Sequence, residues 1–248
     1  MKANIHKKPI NIYWSPEYDL NKDWSFLYQK PVSLFSDLYK NKTKAKKDSF
    51  FSCPALSNKF KKTLVFKNSL PSSYVYDLTT IKGTSDNYIG AINDREPSIS
   101  NNPIIAFLMS YYFFAEESIN VSFTSPYFHE PQYTKYGSII PGEFDVGNWL
   151  RPYGFEAQMW NEKGEFHLKE DEPIFYAEFK TDRPINLYRF NNTEKINRLA
   201  DACINTTDMF GIGQSLFLRY NRFKKVGLRE KVLTEIKNNL IDEEPYKF

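Results

Sequence analysis

The residues best suited to chemistry lie in the segment 137–151, where three glycines, two acids, a tryptophan and an arginine fall within fifteen positions. Glycines let a ligand approach the backbone closely, and an arginine can bind an anion through paired donors. Asp145, Asn148 and Arg151 are therefore candidate ligand-binding residues, and His167 is a fourth candidate for the same pocket. The alternative interpretation is structural: a bulged connection between core strands, with the tryptophan packed inside.

Motifs for the common catalytic mechanisms are missing from the sequence. It has no glycine-rich phosphate-binding loop followed by Lys and Ser or Thr, and no dinucleotide-binding glycine triplet after a strand. Gly213 and Ser215 begin a nucleophile elbow, but Phe217 occupies the position of its last glycine. The sequence therefore favours a protein without catalysis. An enzyme acting on a nucleotide or another phosphorylated small molecule remains the alternative, with the four candidates above lining its pocket.

Metal and redox chemistry also lack their usual patterns. Two cysteines, Cys53 and Cys203, cannot build a disulfide framework or a cysteine-rich zinc site. A facial metal triad could assemble from His129, Glu130 and His167, but their spacing is not that of a ligand motif. We expect no metal and no cofactor, reduced thiols, and Cys203 as a small core residue.

Positive charge is concentrated near the N-terminus. Residues 1–67 hold 14 lysines, no arginine and five acids, a net charge of +9, whereas the remainder carries −6. A lysine-rich segment can attract phosphate without reading sequence, especially with phenylalanines interleaved, although a solvated loop is the alternative. The candidate nucleic-acid contacts are Lys42, Lys44, Lys46, Lys47, Lys61 and Lys62, with Phe50, Phe51 and Phe60 nearby.

Nothing in the sequence resembles a membrane-spanning or secretory segment. No apolar stretch approaches the roughly 18 residues that a spanning helix needs, and residues 1–9 lack an apolar signal core. We therefore expect a soluble protein that is not secreted and has no membrane partner.

The elements that must position these residues are predicted to be mainly strands. Twenty-one Phe, 17 Tyr and 4 Trp give 42 rings in 248 residues, and ten residues are glycine. Aromatic side chains favour the half-buried surface of a pleated sheet. We expect most rings to fill a β core, although such an excess could also stack on nucleic acid.

Strand-like segments dominate the first 190 residues. The run 104–115 is rich in aromatic residues and predicts a buried strand, while 63–66 and 74–78 flank a proline turn and predict a hairpin. Between residues 136 and 190, short strands alternate with turns such as 161–164. This spacing is typical of a sandwich or a barrel.

Helical periodicity begins after residue 190. Asn192 or Thr193 can cap a helix whose apolar residues recur at the i, i+3, i+4, i+7 spacing. A second helical stretch starts near residue 215, breaks at Gly227 and places Leu240 on its final apolar face. The sequence thus predicts a mainly β fold, with a sandwich or barrel-like core and a C-terminal helical segment, α+β overall. It predicts one domain made of a basic segment (1–62), a β core (63–190) and helices (192–241).

Several strings in the chain resemble a viral protein family. They are Asp23 to Tyr28, Ile140 to Trp149, Arg151 to Glu156, Gln158 to Asn161, Glu170 to Tyr176 and Arg229 to Ile236. Together they resemble uncharacterised proteins of tailed phages that infect marine cyanobacteria. The resemblance covers most of the chain and implies a phage protein located in the host cytoplasm or in the virion, with no implied activity.

The β core alone is similar to the barrel of trimeric dUTPases and deoxycytidine deaminases. The likeness rests on a glycine-containing turn, a charged turn at 169–172 and the apolar strand that follows. The charged turn lacks the family's glycine, and the phosphate-binding serine and glycine-rich tail of those enzymes are not recognisable. The likeness therefore implies a fold rather than an activity.

These observations lead to a ranked set of hypotheses. The first is a non-catalytic binding protein whose partner is a protein of the virion or the host. The second is the nucleotide or phosphate enzyme, and the third is non-specific nucleic-acid binding through the lysine-rich segment.

Overall fold

Strands dominate the structure, a computed structural model that describes residues 7–17, 28–40, 50–83, 91–92, 102–204 and 216–248. In these ranges the strands are β1 (Ile10–Pro16), β2 (Val32–Ser33), β3 (Thr63–Lys67), β4 (Ser72–Tyr76), β5 (Ile81–Gly83), β6 (Ala91–Ile92), β7 (Ile104–Ala115), β8 (Asn120–Thr124), β9 (Gly137–Ile139), β10 (Gly142–Asp145), β11 (Pro152–Met159), β12 (Gly164–Leu168), β13 (Pro173–Phe179), β14 (Ile185–Arg189) and β15 (Tyr246–Lys247). The helices are α1 (Leu34–Lys40), α2 (Pro54–Lys61), α3 (Glu194–Ile204), α4 (Leu216–Lys225) and α5 (Leu228–Asn238).

Sheet A is the largest of the three sheets formed by the described residues. Its strand order is β15–β14–β1–β7–β11–β9, and β6 also pairs with β7. β1 runs parallel to β14, with Ile10 opposite Ile185, and antiparallel to β7 on its other side. The strands of the other two sheets all fall between β1 and β14 in the chain.

Sheet B has the order β10–β8–β13–β3–β2, and sheet C has the order β12–β4–β5. The hairpin predicted from 63–66 and 74–78 is therefore wrong, although both segments are strands: β3 pairs with β13 and β2, whereas β4 pairs with β12 and β5. Asn68 fixes the turn between them, because its side-chain amide donates to the carbonyl oxygens of Leu70 and Lys169. Between β3 and β4 the chain therefore passes from sheet B to sheet C and does not form a hairpin within one sheet.

Aromatic rings fill the space between sheet A on one side and sheets B and C on the other. The centroid of Phe66 on β3 lies 4.4 Å from that of Phe175 on β13 and 5.7 Å from that of Phe113 on β7. Phe107 of β7 lies 6.2 Å from Tyr74 of β4. Such distances are those that aromatic pairs prefer, and strand alternation sends these side chains inward. The predicted ring-filled β core is confirmed.

Helices cover the outer faces of both large sheets. α1 and α2 pack on sheet B in a cluster made of Leu34, Phe60, Val65 and Tyr176. The C-terminal helices cover sheet A, where Tyr13, Tyr112, Phe114, Trp149, Ile196, Ala200, Cys203, Phe223, Val232 and Ile236 form one buried cluster. Cys203 is thus the core residue that the sequence predicts, and burial raises the pKa of its thiol to about 12.

The caps of the C-terminal helices follow the predicted signals. The Thr193 hydroxyl accepts the backbone N–H of Ile196 at 3.2 Å, which satisfies one of the free donors at the start of α3. Gly227 separates α4 from α5 with a φ of 67°, a left-handed conformation that favours glycine. α5 ends at Asn238, so the expectation that Leu240 lies on the helix is wrong.

The structure confirms a mainly β fold with a C-terminal helical segment. The facing of sheet A against sheets B and C is that of a sandwich. Of the helices in the described ranges, none is long and apolar enough to cross a membrane.

Candidate nucleic-acid interface

A continuous series of aromatic rings lies on the outer side of sheet B, across α1, α2 and the connection between β8 and β9. We call it the ring surface, and it consists of Phe35, Tyr39, Phe51, Phe60, Tyr127 and Phe128. Three of its members are strongly exposed: Tyr39 at 49%, Tyr127 at 48% and Phe128 at 40%. Phe60 is buried at the centre and links the two exposed ends.

The first end of the ring surface is a stack on α1. Phe35 and Tyr39 are four residues apart and therefore lie on the same side of the helix. Their rings are nearly parallel, 9° apart, with centroids separated by 5.8 Å. Phe51 meets both rings edge-on, at 5.6 and 6.1 Å. The stack is thus supported on its flank while Tyr39 stays half exposed.

The second end is formed by Tyr127 and Phe128, whose ring centroids are 5.2 Å apart. Each ring is held from below by a nearly perpendicular buried ring. Phe60 lies 4.9 Å from Phe128, and Tyr176 of β13 lies 4.9 Å from Tyr127.

One lysine of α2 lies over each end of the ring surface. The ammonium of Lys61 is 5.3 Å from the centroid of Phe35, and that of Lys59 is 5.5 Å from the centroid of Tyr127. These are cation–π distances. Lys59 also pairs with Glu178 at 3.3 Å, with 44% of its own side chain still exposed. A lysine ammonium therefore lies beside both exposed ring groups, and at the Tyr127 end it is shared with the Glu178 carboxylate.

A polar network fixes the ring surface to the sheet below it. Asp37 of α1 accepts a hydrogen bond at 3.0 Å from Nε2 of His129, and its other oxygen pairs with Lys67 of β3. Nδ1 of His129 contacts the hydroxyl of Tyr176. The hydrogen bond from His129, together with the Lys67 ammonium, lowers the pKa of Asp37 to about 2 against the opposing effect of burial.

This network has a positioning role. Both ring nitrogens of His129 are engaged within the protein, and the Asp37 side chain is only 8% exposed. The network joins α1, β3, β13 and the β8–β9 connection, which are the elements that carry the two ends of the ring surface.

The segment 137–151, which holds three of the four candidate ligand residues, forms β9, β10 and the turn that follows β10. Asp145 accepts hydrogen bonds from the backbone of Gly147 at 3.0 Å, from the amide of Asn148 at 2.6 Å and from the hydroxyl of Ser118 at 2.7 Å. Trp149 is buried under the C-terminal helices. The structure therefore brings Asp145 and Asn148 together, in the local arrangement that the structural interpretation describes.

Arg151 and His167, the other two ligand candidates, contact different strands: Arg151 lies beside β10 and β11, and His167 lies on β12. The Arg151 guanidinium lies 5.8 Å from the ring of Phe144 and 5.7 Å from that of Tyr153. His167 is on β12 of sheet C, where Nδ1 contacts the hydroxyl of Ser73 on β4. His167 and Ser73 also line an open depression of about 530 Å³, together with Pro71, Ser72, Leu168, Lys169 and Glu170.

The predicted lysine contacts divide into three groups. Lys42, Lys44, Lys46 and Lys47 lie outside the described residues. Lys61 lies on the ring surface, as described above. Lys62 instead donates to the carbonyl oxygen of Thr181, and burial lowers the pKa of its ammonium.

Sequence reasoning missed Tyr39, Tyr127 and Phe128 as surface residues. Their signal was weak: Tyr39 shares the helical period of Phe35, and the pair Tyr127–Phe128 falls between Pro126 and Pro131 in an otherwise polar connection. Neither pattern reveals that Tyr39 and the Tyr127–Phe128 pair lie on one surface. That arrangement depends on the packing of the β8–β9 connection against β13 and α2.

In the described residues, no three side chains of His, Cys, Asp or Glu gather in a way that could hold a metal ion. His129 lies beside Asp37, and His167 lies on sheet C.

Comparison with known proteins yields no relative: no family model matches the chain, and neither curated proteins nor solved structures give a match. The resemblances to cyanobacterial phage proteins and to the dUTPase barrel therefore stay predictions. The function has to be argued from the geometry itself.

Proposed function

We propose that this protein is a binding protein that holds nucleic acid on the ring surface. The observation that carries the proposal is the pairing of an exposed ring group with a lysine at both ends of one surface. Nucleic acid is a repeating polymer of a flat base and a charged phosphate. Aromatic side chains stack on bases, and lysines contact phosphates.

Charge favours this partner over a protein of the virion or host, the first hypothesis from the sequence. The N-terminal 67 residues, which include α1 and α2, carry a net charge of +9. A polyanion gains from that field over its whole length. The cyanobacterial phage resemblance makes viral or host nucleic acid the expected partner, met in the virion or the host cytoplasm.

Lysine replacement combined with salt titration tests the proposal. We expect the wild-type protein to bind a fluorescein-labelled oligonucleotide in anisotropy measurements, with an affinity that falls steeply as salt is raised. Replacing Lys59 and Lys61 together by alanine should weaken binding and reduce the slope of log K against log salt by about 1.4, since each phosphate contact to a single strand contributes about 0.7.

The matched control replaces Lys163 and Lys231, two exposed lysines on other elements, by alanine. It changes the net charge by the same amount. If this control and the Lys59/Lys61 variant lose affinity equally, the ring surface is not the binding site. If the wild-type protein does not bind at low salt, the proposal is wrong and a protein partner takes its place.

A further inference from the structure

We infer that the ring surface selects single-stranded nucleic acid and binds it without sequence preference, with one base stacked on Tyr39 and another at Tyr127 and Phe128. This inference rests on the proposed function, because it names the form of nucleic acid that the surface holds. It follows from the exposure of the rings, their support and the type of cation beside them.

The Phe35–Tyr39 stack is open for extension. Its two rings are nearly parallel, and Tyr39, the outer one, is 49% exposed. An added base would continue the stack in the offset geometry that aromatic rings prefer. Within a duplex each interior base face is already covered by its neighbours, so only an unpaired strand can offer bases along its length to this position.

The Tyr127–Phe128 group offers a second position of the same kind. Both rings are about half exposed, and each is fixed by a perpendicular ring beneath it. The adjacent His129 is anchored to Asp37, which restrains the connection that carries the two rings. Rings that are already ordered lose little conformational entropy when a base stacks on them.

The cations point to backbone contact without base recognition. Lysine presents a compact charge on a flexible stem, whereas arginine reads guanine edges through a planar fork. Lys59 and Lys61 currently lie over ring faces, and their flexible stems allow the ammonium groups to turn toward a phosphate while the ring accepts a base. All eight arginines of the chain lie beyond residue 94 and thus outside α1 and α2.

The test compares a labelled single strand of about 15 nucleotides with a blunt duplex of the same length at one salt concentration. We expect tighter binding of the single strand, and similar affinities for mixed-sequence and homopolymer strands. Tyr39→Ala and the double variant Tyr127→Ala/Phe128→Ala should each weaken single-strand binding roughly 5- to 150-fold, the range for loss of one stacked base. Duplex binding should change less than about 2-fold, because duplex binding depends on phosphate contacts.

Two controls separate stacking from general damage. Tyr39→Phe and Tyr127→Phe keep the ring and should retain wild-type affinity. Trp160→Ala removes a ring that is 52% exposed outside the ring surface and should have no effect. Strands of DNA and RNA should bind comparably, since neither stacking nor phosphate contact uses the 2′-hydroxyl.

The outcomes distinguish this inference from the proposed function. If the lysine variant weakens binding but the ring variants do not, or if duplex binds as tightly as single strand, the stacking inference is overturned and nucleic-acid binding stands. If no nucleic acid binds at all, both are overturned. A strong preference for one base would contradict the absence of sequence readout.

Discussion

At the scale of the residue, the turn after β10 shows how special residues can serve architecture. The backbone of the β7–β8 turn, at Glu117 and Ser118, passes close to Gly147. The Asp145 carboxylate accepts a hydrogen bond from the backbone N–H of Gly147. A sequence dense in glycine, acid and arginine is typical of ligand sites, but the same residue types are what a tight crossing of two backbones requires. The hydrogen bonds of Asp145 are therefore explained without a ligand.

We expect Gly147→Ala to destabilise the fold by about 3 kcal/mol, the upper part of the usual range for overpacking. A Cβ at this position would lie 2.0 Å from the carbonyl oxygen of Glu117 and 2.7 Å from the backbone nitrogen of Ser118. Both neighbours are main chain, so neither can move without shifting the β7–β8 turn. The free energy of unfolding from urea titration gives the measurement.

Gly154→Ala is the control for this substitution. Gly154 lies in β11, and its added Cβ would first meet the Ser110 hydroxyl at 3.3 Å, a side chain that can rotate. Its loss should be clearly smaller than that of Gly147→Ala. Equal losses at the two sites would show that backbone crowding at Gly147 is not the cause.

At the scale of the element, α1 is held by apolar packing on one side and by one buried carboxylate. Leu34 packs beneath it, and Asp37 connects the helix to His129 and Lys67. A helix of seven residues has little stability of its own, because isolated helices of fewer than about 12 residues are marginal in water. Its position, and with it that of Tyr39, depends on this tertiary anchor.

The low pKa of Asp37 predicts a defined acid dependence. The folded-state pKa of about 2 lies below the ordinary aspartate pKa of 3.8, so the ionised carboxylate stabilises the fold above about pH 4. That contribution is lost as pH falls from about 4 toward 2. Asp37→Asn should therefore cost about 1–3 kcal/mol at pH 7 and visibly less at pH 3.

Urea midpoints of wild-type protein and variant at pH 7 and pH 3 measure this difference. Glu162→Gln, at an exposed position in the β11–β12 turn, serves as the matched neutralising control and should change stability little at either pH. A difference between wild type and Asp37→Asn that stays constant with pH would contradict the role given to the carboxylate.

The sequence predicts individual elements better than their partners. Aromatic composition predicts β7, the short strand-like segments between residues 136 and 190 predict β9 and β11 to β14, and the capping threonine predicts α3. β10 is not predicted, because the sequence indicates a connection between strands there. The prediction of strand partners is wrong where the partner is distant in the sequence. Nothing near β3 indicates that it pairs with β13. β15 was also missed, because two residues beside a run of acids carry no alternation and pair only through β14.

The candidate site is likewise predictable only where it depends on residues that are close in the sequence. Lys61 and Phe51 were found because lysines and phenylalanines interleave locally along the chain. Tyr127 and Phe128 were not, since they join the ring surface through contacts with Phe60 and Tyr176. The distance along the sequence between contacting residues, rather than their type, therefore decides which residues of the ring surface can be predicted.

At the scale of the whole molecule, one apolar core joins all three sheets. It takes in Ile10 of β1, Phe66 of β3, Phe166 of β12 and Leu187 of β14, with Phe248 packed against it. The separate cluster under the C-terminal helices packs on the opposite face of sheet A, because alternate residues of β1 and β7 point to opposite faces. This shared sheet favours the single domain that the sequence predicts.

We expect equilibrium unfolding in one cooperative transition. Trp14 is buried in the main core and Trp149 lies under the C-terminal helices, so their fluorescence reports on the two sides of sheet A. The variants Trp14→Phe and Trp149→Phe are made in a Trp24→Phe/Trp160→Phe background, so that each keeps a single tryptophan. Their fluorescence urea curves should superimpose on their own far-ultraviolet circular dichroism curves. Fluorescence that changes at a different denaturant concentration from circular dichroism in either variant would mean that the helices unfold separately.

The parallel pairing of β1 with β14 also determines when the chain can finish folding during synthesis. Asn11 and Asn186, which are hydrogen-bonded across this pair, are 175 residues apart. β1 is synthesised before both of its partners, so one edge of that strand has no partner until β7 emerges and the other has none until β14 emerges. Until β14 has emerged, the nascent chain therefore carries an incomplete sheet in which Ile10, Ile12 and Trp14 lie on a strand without its parallel neighbour. Sheet A cannot close before the residues of β14 have been synthesised.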